Sequence, residues 1–215
     1  MEPEVSRGTL SSLWQAHTGR LIDKWAHYLP IYERHFERFR NTPVRVLEIG
    51  VSHGGSLQLW KAYFGWQSEI SGLDIDERCL EYADEPLGIR VECGDQGNAA
   101  FMARFAMECG PWDIIIDDGS HVLKDQETSF SRLWGHMPSG GVYLIEDCHN
   151  GWPRCRFIAP YFTCYEWVMV VEKPSLEWQP TPIQRIVTGT PSRHLNHDEI
   201  AAYGPLNAQY LHPHL

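Results

Sequence analysis

The chain has 215 residues, with 18 Lys and Arg against 28 Asp and Glu and a formal net charge of −10. That length fits one domain with appendages and can bury a core without staples. The acidic balance argues against a nucleic-acid surface, which needs a basic stripe to displace counterions. A composition of 43% hydrophobic and 21% charged residues is neither disordered nor fibrous. The apolar runs fall short of the roughly 20 residues of a membrane helix, and no basic start leads into an apolar stretch. The expectation is a cytoplasmic protein with no membrane and no nucleic-acid partner. Six cysteines (Cys79, Cys93, Cys109, Cys148, Cys155 and Cys164) stand singly, without a C-x-x-C pair. They read as buried free thiols and not as a zinc site.

Residues 10–17 and 23–39 read as helices. Asp23 can cap the second, and Trp25, Tyr28, Tyr32, Phe36 and Phe39 recur at helical spacing. This aromatic stripe reads as core packing or as a lid over a cleft; it could also serve a homo-oligomer. The run 44–49 ends at Gly50 and reads as a buried strand. Helices are expected over 56–63, 78–83, 98–107 (capped by Asn98) and 123–134, and strands over 69–74, 88–93, 112–117 and 140–145. Such alternation predicts an α/β fold, a Rossmann-like doubly wound, mostly parallel sheet. Beyond Asp147 the pattern breaks. Residues 162–173 read as one long strand or two abutting ones, closing the sheet antiparallel. The expected organisation is an N-terminal helical lid (1–42), a Rossmann-like core (43–173) and a C-terminal wrap (174–215), with a short helix near Asn196.

In open parallel sheets, ligands bind at the carboxyl ends of the strands. The first strand runs into Gly50-Val-Ser-His-Gly-Gly55, which is not the Gly-x-Gly-x-x-Gly of a dinucleotide site. Its glycines let the backbone approach a ligand, at which the next helix points its N-terminus. Asp74, 24 residues past Gly50, ends the second strand, where a carboxylate accepts from two ribose hydroxyls. Asp95 follows the third strand and can take an adenine amino group. The fourth strand ends in Asp117-Asp-Gly-Ser-His121 and the fifth in Glu146-Asp147. Neighbouring strands would bring these carboxylates into one crevice, where they repel unless a cation sits among them. Oxygen ligands suit Mg²⁺ or Mn²⁺. His121 lies close enough to take a proton from a substrate hydroxyl. His53 and His149 also lie near these loops; Trp66 and Trp152 sit in loops and could pack on a sugar face.

Together, Leu47-Glu-Ile-Gly-Val-Ser-His-Gly-Gly-Ser56, Gly72-Leu-Asp-Ile-Asp76, Asp117-Asp-Gly-Ser-His121 and Gly140-Gly-Val-Tyr-Leu-Ile-Glu-Asp147 resemble class I S-adenosylmethionine-dependent methyltransferases. They look most like the metal-dependent sugar O-methyltransferases of macrolide biosynthesis and the cephalosporin-hydroxylase-like proteins. Asp23-Lys-Trp25, His27, Tyr28 and Tyr32 extend the resemblance ahead of the first strand, so that it covers residues 18–173. The resemblance implies that Glu48, Gly50, Ser52 and Gly54 line the methionine part of the cofactor. Asp74 would bind its ribose, and Asp95 and Gln96 would flank its adenine. Asp118, Glu146 and Asp147 would hold Mg²⁺, His121 would be the general base, and Asp117 would touch cofactor or metal.

Three departures bear on the acceptor. Ile22 stands where the family has Thr before Asp-Lys, and the stretch between Asp147 and Phe162 is short. The macrolide enzymes' N-terminal extension is expected to be absent. The segment 185–193 could help close the site. The expected activity is transfer of a methyl group to a hydroxyl of a small, sugar-containing acceptor. A non-catalytic cofactor-binding protein and an NAD-dependent oxidoreductase are the alternatives. The glycine spacing and the carboxylate clusters argue against the oxidoreductase, because hydride transfer has no use for carboxylates around a cation.

Overall fold

The computed structural model describes residues 8–149, 153 and 162–175. Trp152, Cys155, the segment 185–193, the helix expected near Asn196 and nearly all of the expected wrap lie outside the described residues. The sheet is built from β1 (Arg45–Ile49), β2 (Glu69–Asp74), β3 (Ile89–Cys93), β4 (Ile114–Asp117), β5 (Val142–Ile145), β6 (Phe162–Cys164) and β7 (Met169–Glu172). Its order is β3-β2-β1-β4-β5-β7-β6. The first five strands run parallel, while β7 pairs antiparallel with both β5 and β6. The Rossmann-like expectation and the antiparallel closure both hold. The stretch left open as one strand or two is two, joined by a turn in which Tyr165 N–H donates to the Val168 carbonyl at 2.7 Å.

The apolar runs follow from burial on both faces. Along β4, Ile114 and Ile116 pack with α1 (Leu10–Ala16), α2 (Leu29–Phe36) and α3 (Gly55–Phe64), whereas Ile115 packs with α4 (Ala99–Cys109) and α5 (Leu123–Leu133). A strand alternates its side chains between faces, so one buried on both sides reads as an apolar run. Asn98 caps α4 as expected, its side chain accepting from the amides of Ala100 and Phe101 at 3.1 Å. Of the described cysteines, Cys79, Cys148 and Cys164 are buried and Cys93 is exposed, so the buried-thiol reading is only partly right.

Two helical expectations need correction. No helix starts at Asp23: residues 21–25 are irregular, one 3₁₀ turn follows, and α2 begins at Leu29 with Pro30 in its first turn. Proline has no N–H to give and its fixed φ suits a helix start, so Pro30 sets the boundary. The helix expected over 78–83 is a 3₁₀ segment, Glu77–Tyr82, capped by Asp76. The chain must turn again within a few residues, through Pro86 and a left-handed Gly88, to enter β3.

The N-terminal segment is fastened across the sheet. His35 Nδ1 lies 3.1 Å from Glu172 Oε1 on β7, and its Nε2 lies 2.8 Å from Tyr165 Oη. Arg38 donates to the Gly140 carbonyl at 2.9 Å. These bonds fasten the end of α2 to β7 and to the turn ahead of β5. No helix among the described residues is long and apolar enough to cross a membrane. Asn98→Ala should lower stability by about 1 kcal/mol, the usual worth of an N-cap. Urea denaturation would show it as a lower midpoint with an unchanged slope.

Candidate active site

A cleft of about 500 Å³ opens at the carboxyl ends of β1, β2, β4 and β5. It is lined by Gly50, Ser52, Asp74, Asp118, His121, Glu146 and Asp147 among the residues singled out in the sequence. Asp23, Lys24, Trp25, Gly119 and His149 complete the wall. The fold thus gathers the glycine-rich loop and both carboxylate clusters at one place.

The loop after β1 is held by its neighbours. Gly50 has φ +92°, and a Cβ there would run into the Asp118 carbonyl. Asp74 Oδ2 accepts from the amides of Val51 and Ser52 at 2.8 and 3.0 Å, and Oδ1 accepts from Asp76 N–H at 2.9 Å. The carboxylate expected at a ribose therefore also sets the shape of the loop. His53 Nδ1 pairs with Ser52 Oγ at 3.0 Å.

Other expected cofactor residues lie off the cleft wall. Asp117 is fully buried on the far face of the sheet. Its carboxylate takes Gln96 Nε2 at 2.9 Å, the Ser129 hydroxyl and the Tyr143 hydroxyl, and burial pushes its pKa up. The expectation that this side chain touches cofactor or metal does not fit that position. Gln96 is buried too, accepting from Ser120 N–H at 2.6 Å, and so braces the loop after β4. Asp95 is exposed and accepts from Gly97 N–H within its turn. Gly54, at φ +74°, starts α3 beneath the Tyr82 ring. Glu48 is buried under the loop, accepting from Ser56 Oγ at 2.6 Å.

The sequence reading gave no role to the cation at the centre of this network. Lys24 Nζ lies 2.8 Å from Glu48 Oε1, 2.6 Å from Asp118 Oδ2 and 3.0 Å from Glu146 Oε1. Burial alone would lower its pKa; Asp118, Glu146 and Glu48 overcome that and hold it well above the ordinary value. Burial likewise pushes Asp118 up to about 6, against the pull of Lys24 and His121. Glu146 is raised further, by burial and by Asp118. Tyr32 donates to Glu146 Oε1 at 2.7 Å and Tyr28 to Asp147 Oδ1 at 2.6 Å. Burial raises both phenols, so each keeps its proton and stays a donor.

These partners select which carboxylate atoms remain open. Lys24 claims Asp118 Oδ2 and Tyr28 claims Asp147 Oδ1. Asp118 Oδ1 and Asp147 Oδ2 face His121 Nε2, at 4.0 and 3.7 Å. Among the described residues, Asp118, His121 and Asp147 form the cluster whose donor atoms all lie within 4.8 Å of one another. Glu146 of the expected set lies outside that cluster, with Lys24 and Tyr32 both on its Oε1. Ser52, His121 and Asp147 all hold φ between +50° and +56°, a region costly for residues with a Cβ.

No family model matches the chain. It is 46% identical over 134 residues to the mycinamicin VI 2''-O-methyltransferase of Micromonospora griseorubida, which covers 59% of this chain and 33% of that protein. To the demethylmacrocin O-methyltransferase of Streptomyces fradiae it is 41% identical over 144 residues, or 62% of this chain and 35% of the relative. The MycE methyltransferase from the mycinamycin biosynthetic pathway, solved in complex with Mg, SAH and mycinamycin VI, matches with a TM-score of 0.68 and 32% identity. That match covers 82% of this chain and 58% of the solved one. The chain is related to the macrolide sugar O-methyltransferases. The matches to the two curated relatives span about a third of their length.

Removing the Lys24 charge should leave two buried carboxylates, Glu48 and Glu146, and the half-buried Asp118 without their cation. Lys24→Met should lose about 3 kcal/mol at pH 7.5. Carboxylates raised above their unfolded pKa bind protons on folding, so their penalty grows as pH rises and shrinks as it falls. The deficit against wild type, read by denaturant titration, should therefore narrow towards pH 5.

Proposed function

We propose that this chain transfers a methyl group from S-adenosylmethionine to a hydroxyl of a sugar on a glycosylated small molecule, with Mg²⁺ at the acceptor end of the cleft. One observation carries the reading. Asp118 Oδ1 and Asp147 Oδ2 converge with His121 Nε2 at one end of a cleft whose other end is the Gly50–Ser52 loop pinned by Asp74. The relatives named above act as O-methyltransferases on such compounds, and the solved relative holds Mg and SAH.

The donor set fits the ion. Two uncommitted carboxylate oxygens suit a hard divalent cation that keeps several waters. Lys24 is the only ammonium beside Glu48, Asp118 and Glu146 among the described residues, so negative charge remains for a second cation to offset. Imidazole is the poorer partner for Mg²⁺, which leaves His121 for the proton. When bound, S-adenosylmethionine supplies an electrophilic methyl group and Mg²⁺ lowers the pKa of the acceptor hydroxyl.

The chain's own residues do the rest. His121 Nε2 accepts the hydroxyl proton, and Asp118 and Asp147 flank the imidazolium that results. Tyr28 fixes Asp147, and Lys24 fixes Asp118. The Gly50–Ser52 backbone and the N-terminus of α3 receive the methionine part, with Asp74 at the ribose. Glu48 acts from beneath through Lys24 and Ser56. The N-terminal segment 20–36 acts as a lid that supplies side chains to the cleft. Catalysis here is chiefly positioning of an oxygen in line with the methyl group.

Calorimetric titration with S-adenosylhomocysteine in the presence of Mg²⁺ should give a one-site isotherm, and its absence would sink the reading. His121→Ala should slow methyl transfer by about 10²–10⁴-fold while homocysteine-nucleoside affinity holds; an unchanged rate would remove it as the base. Because Asp118 is held at about 6 and must be ionised to bind metal, Mg²⁺ affinity should be steady above pH 7 and fall below about pH 6. Metal titrations at pH 5.5 and 7.5 check the sign.

A further inference from the structure

The lysine at the centre of the acidic network leaves one of its three partners unserved. An ammonium carries three N–H donors. Lys24 aims two of them along hydrogen bonds, at Asp118 Oδ2 (2.6 Å) and Glu146 Oε1 (3.0 Å). Glu48 Oε1 lies as near, at 2.8 Å, yet receives no hydrogen bond from any described residue. That carboxylate is fully buried, and its other oxygen already accepts from Ser56 Oγ. A buried acceptor so placed normally finds a donor, because leaving it bare forfeits its hydration without return.

The three carboxylates also differ in where they stand. Asp118 and Glu146 line the cleft beside Lys24, whereas Glu48 lies behind it, under the loop after β1. A divalent ion that enters the cleft and takes Asp118 Oδ1 would share that carboxylate with the ammonium. Two cations on one carboxylate repel in an interior that screens them poorly. Lys24 has a way back: turning its flexible four-carbon stem brings an N–H onto Glu48 Oε1. Residues 21–25 are irregular, and the Leu21 carbonyl, accepting from Gly55 N–H at 3.1 Å, keeps the segment in place while the side chain moves. Glu146 is not stranded, since Tyr32 still donates to its Oε1.

We propose that Lys24 is a tethered cation that competes with the divalent ion for Asp118 and Glu146 and withdraws to Glu48 when the ion binds. The lysine fixes Asp118 until the ion arrives and yields it afterwards. It thereby lowers the divalent affinity of the site while it keeps the acidic rim neutralised. The withdrawn ammonium stays paired, so the exchange leaves no bare charge in the interior. Glu48 also carries Ser56 in the first turn of α3, so the arrival of the ion is felt at the glycine-rich end of the cleft. The exchange rests on the methyl-transfer reading above for its place in turnover.

Calorimetric titration of the full chain with Mg²⁺ alone, at pH 7.5 and without nucleoside, tests the competition. Lys24→Met should bind Mg²⁺ at least tenfold tighter than wild type. A lysine that only fixes a metal ligand predicts the reverse, so equal or weaker binding overturns the exchange, as does a failure of both proteins to bind Mg²⁺. Lys24→Gln makes the same comparison should the methionine variant not fold. A second measurement needs no variant. The chain has four lysines, Lys24, Lys61, Lys124 and Lys173, so ¹⁵N labelling at lysine gives few ammonium signals. NMR correlations from ammonium nitrogen to carboxylate carbon across the hydrogen bond should link Lys24 to Asp118 and Glu146 before Mg²⁺ is added and to Glu48 at saturation. A link to Asp118 that survives saturation overturns the exchange. S-adenosylhomocysteine, titrated separately, reports on the reading beneath it. A protein that binds the nucleoside while Lys24 stays on Asp118 loses the exchange and keeps that reading. Mg²⁺-driven exchange in a protein that binds no nucleoside supports the exchange and sinks the methyl-transfer reading instead.

Discussion

The cleft depends on one buried ammonium. Lys24 Nζ touches Glu48 from β1, Asp118 after β4 and Glu146 after β5, so a single charge joins three strand ends. Without it, the carboxylates that the topology brings together would repel one another in a medium that screens them poorly. With it, one oxygen of Asp118 is fixed and the other is left facing His121. The same cation lies between the glycine-rich loop and the acidic floor. A disturbance at either end of the cleft reaches the other through it.

Around that charge the structure separates the polar groups of the fold from those of the site. Asp117 and Asp118 are neighbours in sequence, yet one faces Gln96, Ser129 and Tyr143 in the far core and the other faces the cleft. The first network keeps the loop after β4 in place by way of Gln96 and Ser120. The second presents open oxygens. Tyr28 and Tyr32 bridge the two tasks: their rings pack in the core of the N-terminal helices while their hydroxyls hold Asp147 and Glu146.

Much of this was legible because a sheet buried on both faces writes itself as apolar runs. Those runs located the strands to within two residues at most ends, and the parallel topology then placed Asp74, Asp118, His121 and Asp147 at one rim. The division of labour between Asp117 and Asp118 was present in the same pattern. Ile115 and Asp117 share a face by strand alternation, which points Asp117 into the α4–α5 core. Pro30 likewise marked the start of α2 better than Asp23 did. Lys24 stands in the Asp23-Lys-Trp25 run that carries part of the resemblance, but nothing local names its partners. It sits in an irregular segment, and its partners Asp118 and Glu146 are 94 and 122 residues away, a separation that no local period reports.

Those separations also order events during synthesis. Tyr28 finds Asp147 only across 119 residues, and His35 finds Glu172 across 137. The segment that covers the cleft emerges before every strand, yet its last partners come after the fifth. Lys24 can meet Glu48 once β1 is made, and Tyr32 and Phe36 can meet Trp60 once α3 is made, but the partners at Glu146 and Asp147 wait for β5. The acidic rim of the cleft is therefore closed only when a segment ahead of β1 folds back onto residues after β5.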